Sequence, residues 1–360
     1  MLMMSSIRRA PLAGGVLLFL IATGCLHRAG VKTSLQAEIV DTLVLEIPPG
    51  YNPPRLDISF CFVPDGLWGV SKIIGSESTL VIKWNTEGRV TRSFVGPSGA
   101  RGIFVQGDEV VIFPWANADI WQYDTSGRLV GHFVPDLWCS KMLYWGVFPL
   151  KGGGKFLALG PNVAQIVTER ETTYAQFLAF VVDTQGRILR WSLPPDSSVL
   201  SGITENLGYG TILPDSTVIT GDFYTFRLHL FDGAFNERQV RLDTSGFTLM
   251  PSFPAEFSSM EAYQWKEGVV DTLHPHILLK ICPWQGFILA FSARQLPKGQ
   301  RQDFSVLLID PGTGMVIHSC SLPDSAGTGG VIRGDTLMCF TRYQWSSNTY
   351  KLYKIVLTTH

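Results

Sequence analysis

Two kinds of tight turn alternate along this 360-residue chain, and the alternation restricts what it can fold into. The first kind reads Asn85-Thr86-Glu87-Gly88-Arg89, Asp124-Thr125-Ser126-Gly127-Arg128 and Asp183-Thr184-Gln185-Gly186-Arg187, with looser copies at Asp232-Gly233 and Asp310-Pro311-Gly312-Thr313-Gly314. Asp or Asn bonds the backbone two residues on and Gly accepts a positive φ, so each copy predicts a hairpin. The second kind lies upstream of each first one, at Pro64-Asp65-Gly66, Gly107-Asp108, Leu150–Gly154, Pro214-Asp215-Ser216, Pro283–Gly286 and Arg333-Gly334-Asp335. Short runs rich in Val, Ile, Leu and Phe flank both kinds, such as Leu80–Trp84 before Asn85 and Val90–Phe94 after Arg89.

Two hairpins in alternation make a four-stranded antiparallel unit, strands A to D, repeated about six times. Such units cannot bury their faces alone, and stacking them around an axis gives a six-bladed β-propeller, an all-β fold. The last unit has strand A near Val331–Ile332, B at Thr336–Phe340 and C at Tyr350–Val356, and the sequence stops at His360 before a strand D. Near the other end, Ile39–Ile47 reads as a strand with no unit of its own. It is expected to complete the last blade, which would close the ring and remove an exposed edge. On this turn spacing, residues 39–357 resemble the NHL and TolB-like six-bladed propellers of exported bacterial proteins. Helix is expected below about 10%, with Glu256–Lys266 the best candidate.

Composition narrows the function classes. Hydrophobic residues make up 46%, and Lys+Arg 29 against Asp+Glu 30 leaves neither a basic surplus nor a basic and aromatic stripe, which argues against a nucleic-acid partner. No stretch after residue 25 reaches 18 apolar residues. Residues 1–24 have Arg8 and Arg9 as a basic head and an apolar run from Leu12 to Ala22. They end at Ala22-Thr23-Gly24-Cys25, which resembles the lipobox of bacterial lipoproteins. That resemblance implies export, lipidation of Cys25 and, with Leu26 after the cysteine, the outer membrane; with the repeat it divides the chain into a lipoprotein signal peptide over 1–24, a tether over 25–38 and the propeller domain over 39–360. An ordinary secretory signal with a chance cysteine is the alternative. Cys61, Cys139, Cys282, Cys320 and Cys339 show no C-x-x-C spacing and mostly lie in apolar runs, so core packing is favoured over disulfides.

The A–B and C–D turns of a propeller lie on one face and are short here; the other face takes the B–C loops and D–A crossovers. Its expected long loops are Val134–Trp145, Pro161–Gln176, Pro194–Gly208, Thr244–His276 and Ser292–Phe304. Loops longer than connection requires are where binding resides, so the long-loop face is the expected site. Arg101, Trp115, Asn117, Trp138, Trp145, His276, Arg342 and Trp345 are the candidate ligand-binding residues, beside Lys141, Glu169, Arg170, Tyr224, Trp265, His274 and Arg294. Aromatic rings offer flat apolar area and Arg or Asn orients polar groups; the alternative is that the tryptophans wedge between blades.

His274-Pro275-His276 has a metal-ligand spacing but no assignable third ligand, so a structural use is favoured and no cofactor is expected. Arg333-Gly334-Asp335 falls where other units have a tight turn. G-x-S-x-G, Walker A, H-E-x-x-H and Rossmann patterns are missing. Two functions follow. One is a lipid-anchored binding module for an envelope protein, peptide or glycan. The other is a lactonase, lyase or hydrolase with a divalent cation in the central channel, to which Glu205, Asn206 and His276 could contribute.

Overall fold

The computed structural model describes residues 33–54, 59–114, 119–136, 146–150, 153–167, 172–191, 211–213, 217–221, 226–251, 259–297, 303–322, 326–341 and 348–359. The chain begins with β1 (Thr33–Val44) and the two-residue β2 (Tyr51–Asn52). Blade one follows as β3 (Phe60–Val63), β4 (Gly66–Ile73), β5 (Thr79–Trp84) and β6 (Val90–Gly96). Blade two is β7 (Ala100–Gln106), β8 (Glu109–Pro114), β9 (Ile120–Asp124) and β10 (Leu129–Phe133). Blade three is β11 (Gly146–Pro149), β12 (Lys155–Val167), β13 (Thr172–Asp183) and β14 (Ile188–Trp191). Blade four is β15 (Thr211–Ile212), β16 (Val218–Gly221), β17 (Arg227–Phe231) and β18 (Glu237–Arg241).

After α1 (Ser259–Leu273), blade five is β19 (His276–Trp284), β20 (Phe287–Arg294), β21 (Asp303–Ile309) and β22 (Val316–Ser321). Blade six takes β23 (Ala326–Arg333), β24 (Thr336–Thr341) and β25 (Thr349–Thr359), and β1 is its fourth strand. The result is an all-β, six-bladed propeller, 62% strand and 4% helix.

Closure follows the sequence argument with a shifted boundary. β1 pairs antiparallel with β25 from Thr33↔Thr359 to Val44↔Thr349, so the strand starts within the stretch read as tether. Leu35 is buried and Ala37 packs on the same core, which draws this stretch into the sheet. Leu45 leaves the sheet, its amide donating to the Asn348 carbonyl at 2.9 Å. A hydrophobic cluster then sits at every blade interface. Trp68, Val70 and Val81 of blade one meet Ile103, Val105 and Ile112 of blade two, and Leu43, Met338 and Tyr350 of blade six meet Leu80, Ile82 and Trp84 of blade one. The core is therefore a ring of six wedges, as expected when each sheet buries both faces against its neighbours.

Two elements differ from the sequence expectation. The described helix, Ser259–Leu273, runs past the expected end at Lys266, and the expected start at Glu256 lies outside the described residues. Residues 161–176, read as a loop, are mostly strand: β12 and β13 continue as a hairpin arm from Asn162↔Phe177 to Val167↔Thr172, past a bulge between Leu159 and Asn162. The β-branched residues Val163, Ile166, Val167, Thr172 and Thr173 favour extended backbone in both arms. Six pairs beyond the bulge make the arm about 20 Å long. Among the described cysteines, Cys61, Cys282, Cys320 and Cys339 are free thiols, and Cys282 and Cys339 are buried in the apolar core.

Candidate functional site

The turn face is assembled from bonds between turns. Within blades two and three the A–B and C–D turns join directly, Thr125 N–H to the Asp108 carbonyl at 3.1 Å and Thr184 N–H to the Gly154 carbonyl at 3.2 Å. The C–D turns also receive the end of the preceding blade. Glu46, Asp136 and Asp243 amides donate to the carbonyls of Gly88, Gly186 and Gly314 at 2.8, 2.6 and 3.1 Å. Arg92, Arg190 and Arg238, each on an outermost strand, donate side-chain bonds to Thr125, Ala234 and Pro311 in the next blade's turn. The repeated turn motif is thus spent on holding blades together. Its acids are used locally: Asp124 accepts from the amides of Ser126 and Arg128 and from the Ser126 hydroxyl, and is held down to about 2.

At the opposite face, a cavity of about 250 Å³ lies between blades one and two. Asn52 and the following Pro53 and Pro54 line it from β2, Ser59 from the foot of β3, Val70 and Lys72 from β4, and Ala100 and Arg101 from the start of β7. β2 creates this site: β3 pairs with β4 from Val63↔Gly66 to Phe60↔Gly69, and β2 takes over the same edge at Tyr51↔Ile73 and Asn52↔Lys72. Buried bonds fix the walls. The Tyr350 hydroxyl donates to the Pro54 carbonyl at 2.8 Å, and the Ser59 hydroxyl to the Arg101 carbonyl at 2.6 Å.

The B–C loop of blade one reaches the rim. Gly99 N–H in the crossover to blade two donates to the Glu77 carbonyl at 2.9 Å, and Lys72 Nζ bonds Glu77 Oε1 at 2.5 Å. The Lys72 hydrogen bond is the main reason the Glu77 carboxyl lies below its ordinary value, and the positive charge of Arg101 adds to it.

Of the expected ligand-binding residues, the structure brings Arg101 to this cavity. His276 stands at the start of β19 and is engaged structurally: its amide donates to the Thr248 carbonyl at 2.7 Å, its Nδ1 accepts from Thr248 N–H at 3.1 Å, and Phe247 meets its ring edge-on. Burial lowers its pKa, which suits a neutral ring with Nδ1 as acceptor. His274 caps α1 at φ +50, its amide donating to the Val270 carbonyl at 3.2 Å. Trp115, Asn117, Trp138, Trp145, Arg342 and Trp345 lie outside the described residues, as do Cys25, Lys141, Glu169, Arg170, Glu205, Asn206 and Tyr224.

The A strands β11, β7, β3, β23, β19 and β15 touch in that succession, which makes them the channel wall. Within their printed bounds they hold Arg101, Lys280 and Arg333 and no Asp or Glu. Among the described residues no group of three His, Cys, Asp or Glu could hold a metal ion. Sequence reasoning missed Asn52, Lys72 and Glu77. The polar Gly75-Ser76-Glu77-Ser78 loop was the available signal, but nothing in it pointed across to Arg101.

No family model and no curated protein sequence matches the chain. Solved structures do. A member of the DUF4221 family from Bacteroides vulgatus superposes with a TM-score of 0.64 at 9% identity, over 91% of this chain and 99% of that one. Virginiamycin B lyase from Staphylococcus aureus gives a TM-score of 0.47 at 10% identity, over 90% and 100%. BamB from Moraxella catarrhalis gives 0.37 at 11% identity, over 89% and 98%. The first likeness is one of fold, and the other two superpose too loosely to bear on this chain.

Proposed function

We propose that this chain is an exported, lipid-anchored propeller of the NHL or TolB-like kind that acts as a binding module, taking an envelope protein, peptide or glycan on its long-loop face. The supporting observation is the elaboration of the long-loop face. The turn face has a hollow of its own, about 640 Å³ and lined by Asp65, Lys83, Arg92 and Asp108 among others, but it is built from minimal turns whose backbone groups bond within and between blades, as with Glu46, Asp136 and Asp243 on their glycine carbonyls. The other face has the β12–β13 arm, the connection containing α1 and a cavity with fixed walls. Convergent polar groups in a preformed hollow are what recognition uses. Anchoring at Cys25 rests on the lipobox-like sequence, and several acyl chains at about 0.8 kcal/mol per buried methylene hold a soluble body firmly to a membrane.

Site-directed photocrosslinking in intact cells tests this reading. Crosslinkers at Arg101 and at Thr172 in the arm should capture a discrete envelope component, and crosslinkers at Glu87 and Ser126 on the turn face should not. Capture confined to the turn face would overturn the proposal.

A further inference from the structure

We propose that the hollow of about 640 Å³ between blades one and two on the turn face binds a small zwitterion of the amino-acid type, its carboxylate on Arg92 and its ammonium on Asp108, with the Lys83–Asp65 pair beside them. The site is separate from the long-loop face and takes a small molecule rather than a macromolecule.

The hollow exists because one position departs from the interblade pattern. Two residues before the C–D turn, the strand-C side chain facing the next blade is Val181 in blade three, Leu230 in blade four and Leu308 in blade five, each buried in an interblade cluster. Blade one has Lys83 there. Trp68 on β4 and Arg92 on β6 lie directly opposite it on either side. Lys83 Nζ passes 5.8 Å from the Trp68 ring centroid and pairs with Asp65 in the A–B turn. A leucine would fill this interface, whereas an ammonium group must keep water or partners around it and holds the interface open. Like charges directly opposite in a sheet repel, so Lys83 beside Arg92 costs stability that blades four and five avoid with leucine, and a carboxylate beside them relieves it.

Charge in the hollow is divided by position. The cations stand on β5 and β6, the outer strands of blade one, and the acids stand on the A–B turns of blades one and two, Asp65 and Asp108, nearer the channel. Two groups of each sign match a ligand that is neutral overall and dipolar; a simple anion or cation leaves half of the lining unmatched. Thr125 holds the two principal groups without neutralising either: Arg92 donates to its carbonyl, and Asp108 Oδ1 accepts from its hydroxyl at 2.9 Å. Arg92 makes no ion pair among the described residues, and its planar fork keeps further N–H groups for a carboxylate. Phe62, Val63 and Val105 add apolar wall for a side chain, and nothing lies within 4 Å of a Cβ on Gly107, so the mouth is clear there. The volume falls within the ~300–1,000 Å³ of small-molecule sites, which favours a di- or tripeptide over a single amino acid.

Calorimetric titration of the purified, detergent-solubilised chain tests the site with alanyl-leucine, its N-acetyl and C-amide derivatives, free leucine and maltose. Blocking either end of the dipeptide should weaken it about tenfold, as expected for a lost charge-assisted hydrogen bond, and blocking both should remove the signal. Arg92→Gln and Asp108→Asn should each weaken the dipeptide about tenfold. Arg190→Gln, which removes the matching interblade bond of blade three, should leave binding unchanged and so separates recognition from blade packing. Lys83→Leu installs the residue type of blades four and five and should abolish binding with an unchanged or raised melting temperature. Tighter binding of the dipeptide than of leucine identifies a short peptide as the source of the zwitterion, and the reverse order identifies a free amino acid. No binding of either, equal binding of the free and doubly blocked dipeptide, tighter binding of maltose, an equal loss in Arg190→Gln, or full affinity in Lys83→Leu overturns the site. Crosslinking at Thr172 reports on the other face, so the two readings stand or fall separately.

Discussion

The amide of Asp136, just past the last strand of blade two, donates to the carbonyl of Gly186 in the C–D turn of blade three at 2.6 Å. The same bond recurs from Glu46 to Gly88 and from Asp243 to Gly314. Each of these glycines has positive φ and presses on the preceding blade's backbone: a Cβ on Gly186 would sit 2.1 Å from the Val134 carbonyl oxygen, and one on Gly88 2.2 Å from that of Val44. The glycine is required both by the turn and by the neighbouring blade.

Gly186→Ala should therefore cost on the order of 2–4 kcal/mol, combining left-handed strain with a backbone overlap that cannot relax by a rotamer change. Gly286→Ala is the control, since its φ is +84 but nothing lies within 4 Å of a Cβ there, and it should cost about 1–2 kcal/mol. Urea unfolding of both variants measures the difference, which isolates the interblade contribution.

The Asp124 carboxyl is held at about 2, first by the Ser126 hydroxyl, against an ordinary value of 3.8. A depressed carboxyl stabilises the fold above its unfolded pKa and loses that contribution as pH falls through the folded value. The stability difference between the parent chain and Asp124→Asn should be constant above about pH 5 and shrink between about pH 4 and 2. Urea midpoints at pH 6, 4 and 3 check it; a difference that grows on acidification contradicts the assignment.

Deleting residues 33–44 removes β1 and leaves β25 as an unpaired outer edge of blade six. It also strips Leu35 and Leu43 from two interface clusters. The product should aggregate through the open edge, read as high-mass material in size-exclusion chromatography. A monomer with the parent's melting temperature would show that blade six does not need its fourth strand.

Burial pushes the thiols upward, Cys61 to about 11, Cys282 to about 12, and Cys339 higher still. Thiolate is the reactive form, so native protein at pH 8 should resist iodoacetamide at Cys282 and Cys339, and unfolded protein should label at both. Peptide mass spectrometry reads each site separately. Rapid native labelling at Cys339 would contradict its place in the core.

Replacing Cys25 by Ser should move the chain from the membrane to the soluble fraction on cell fractionation. Unchanged fractionation would remove the proposed lipid anchor and leave the propeller unaffected.

The fold was legible because its punctuation is local. Asp124 and Asp183 bond their own turn amides, and Gly127 and Gly186 take positive φ within the same few residues, so spacing alone counts the blades. The missing fourth strand of the last unit pointed to the N-terminal strand for the same reason. The site was less legible. Among the expected residues, Arg101 lines the cavity, His276 is committed to Thr248, and the expected loop 161–176 is mostly a paired arm.

Sequence by itself determined the number of sheets, their internal order and the ring closure, because hairpin chemistry and alternation act over a few residues. Tertiary structure alone decided that Lys72 and Arg101 line one cavity, and that Pro54 and Ser59 wall it. Those residues come from different strands and blades, and their approach depends on how β2 takes over the edge of β4 and how the crossover bonds the neighbouring loop. No periodicity records such a meeting, since it is set by the packing of whole sheets.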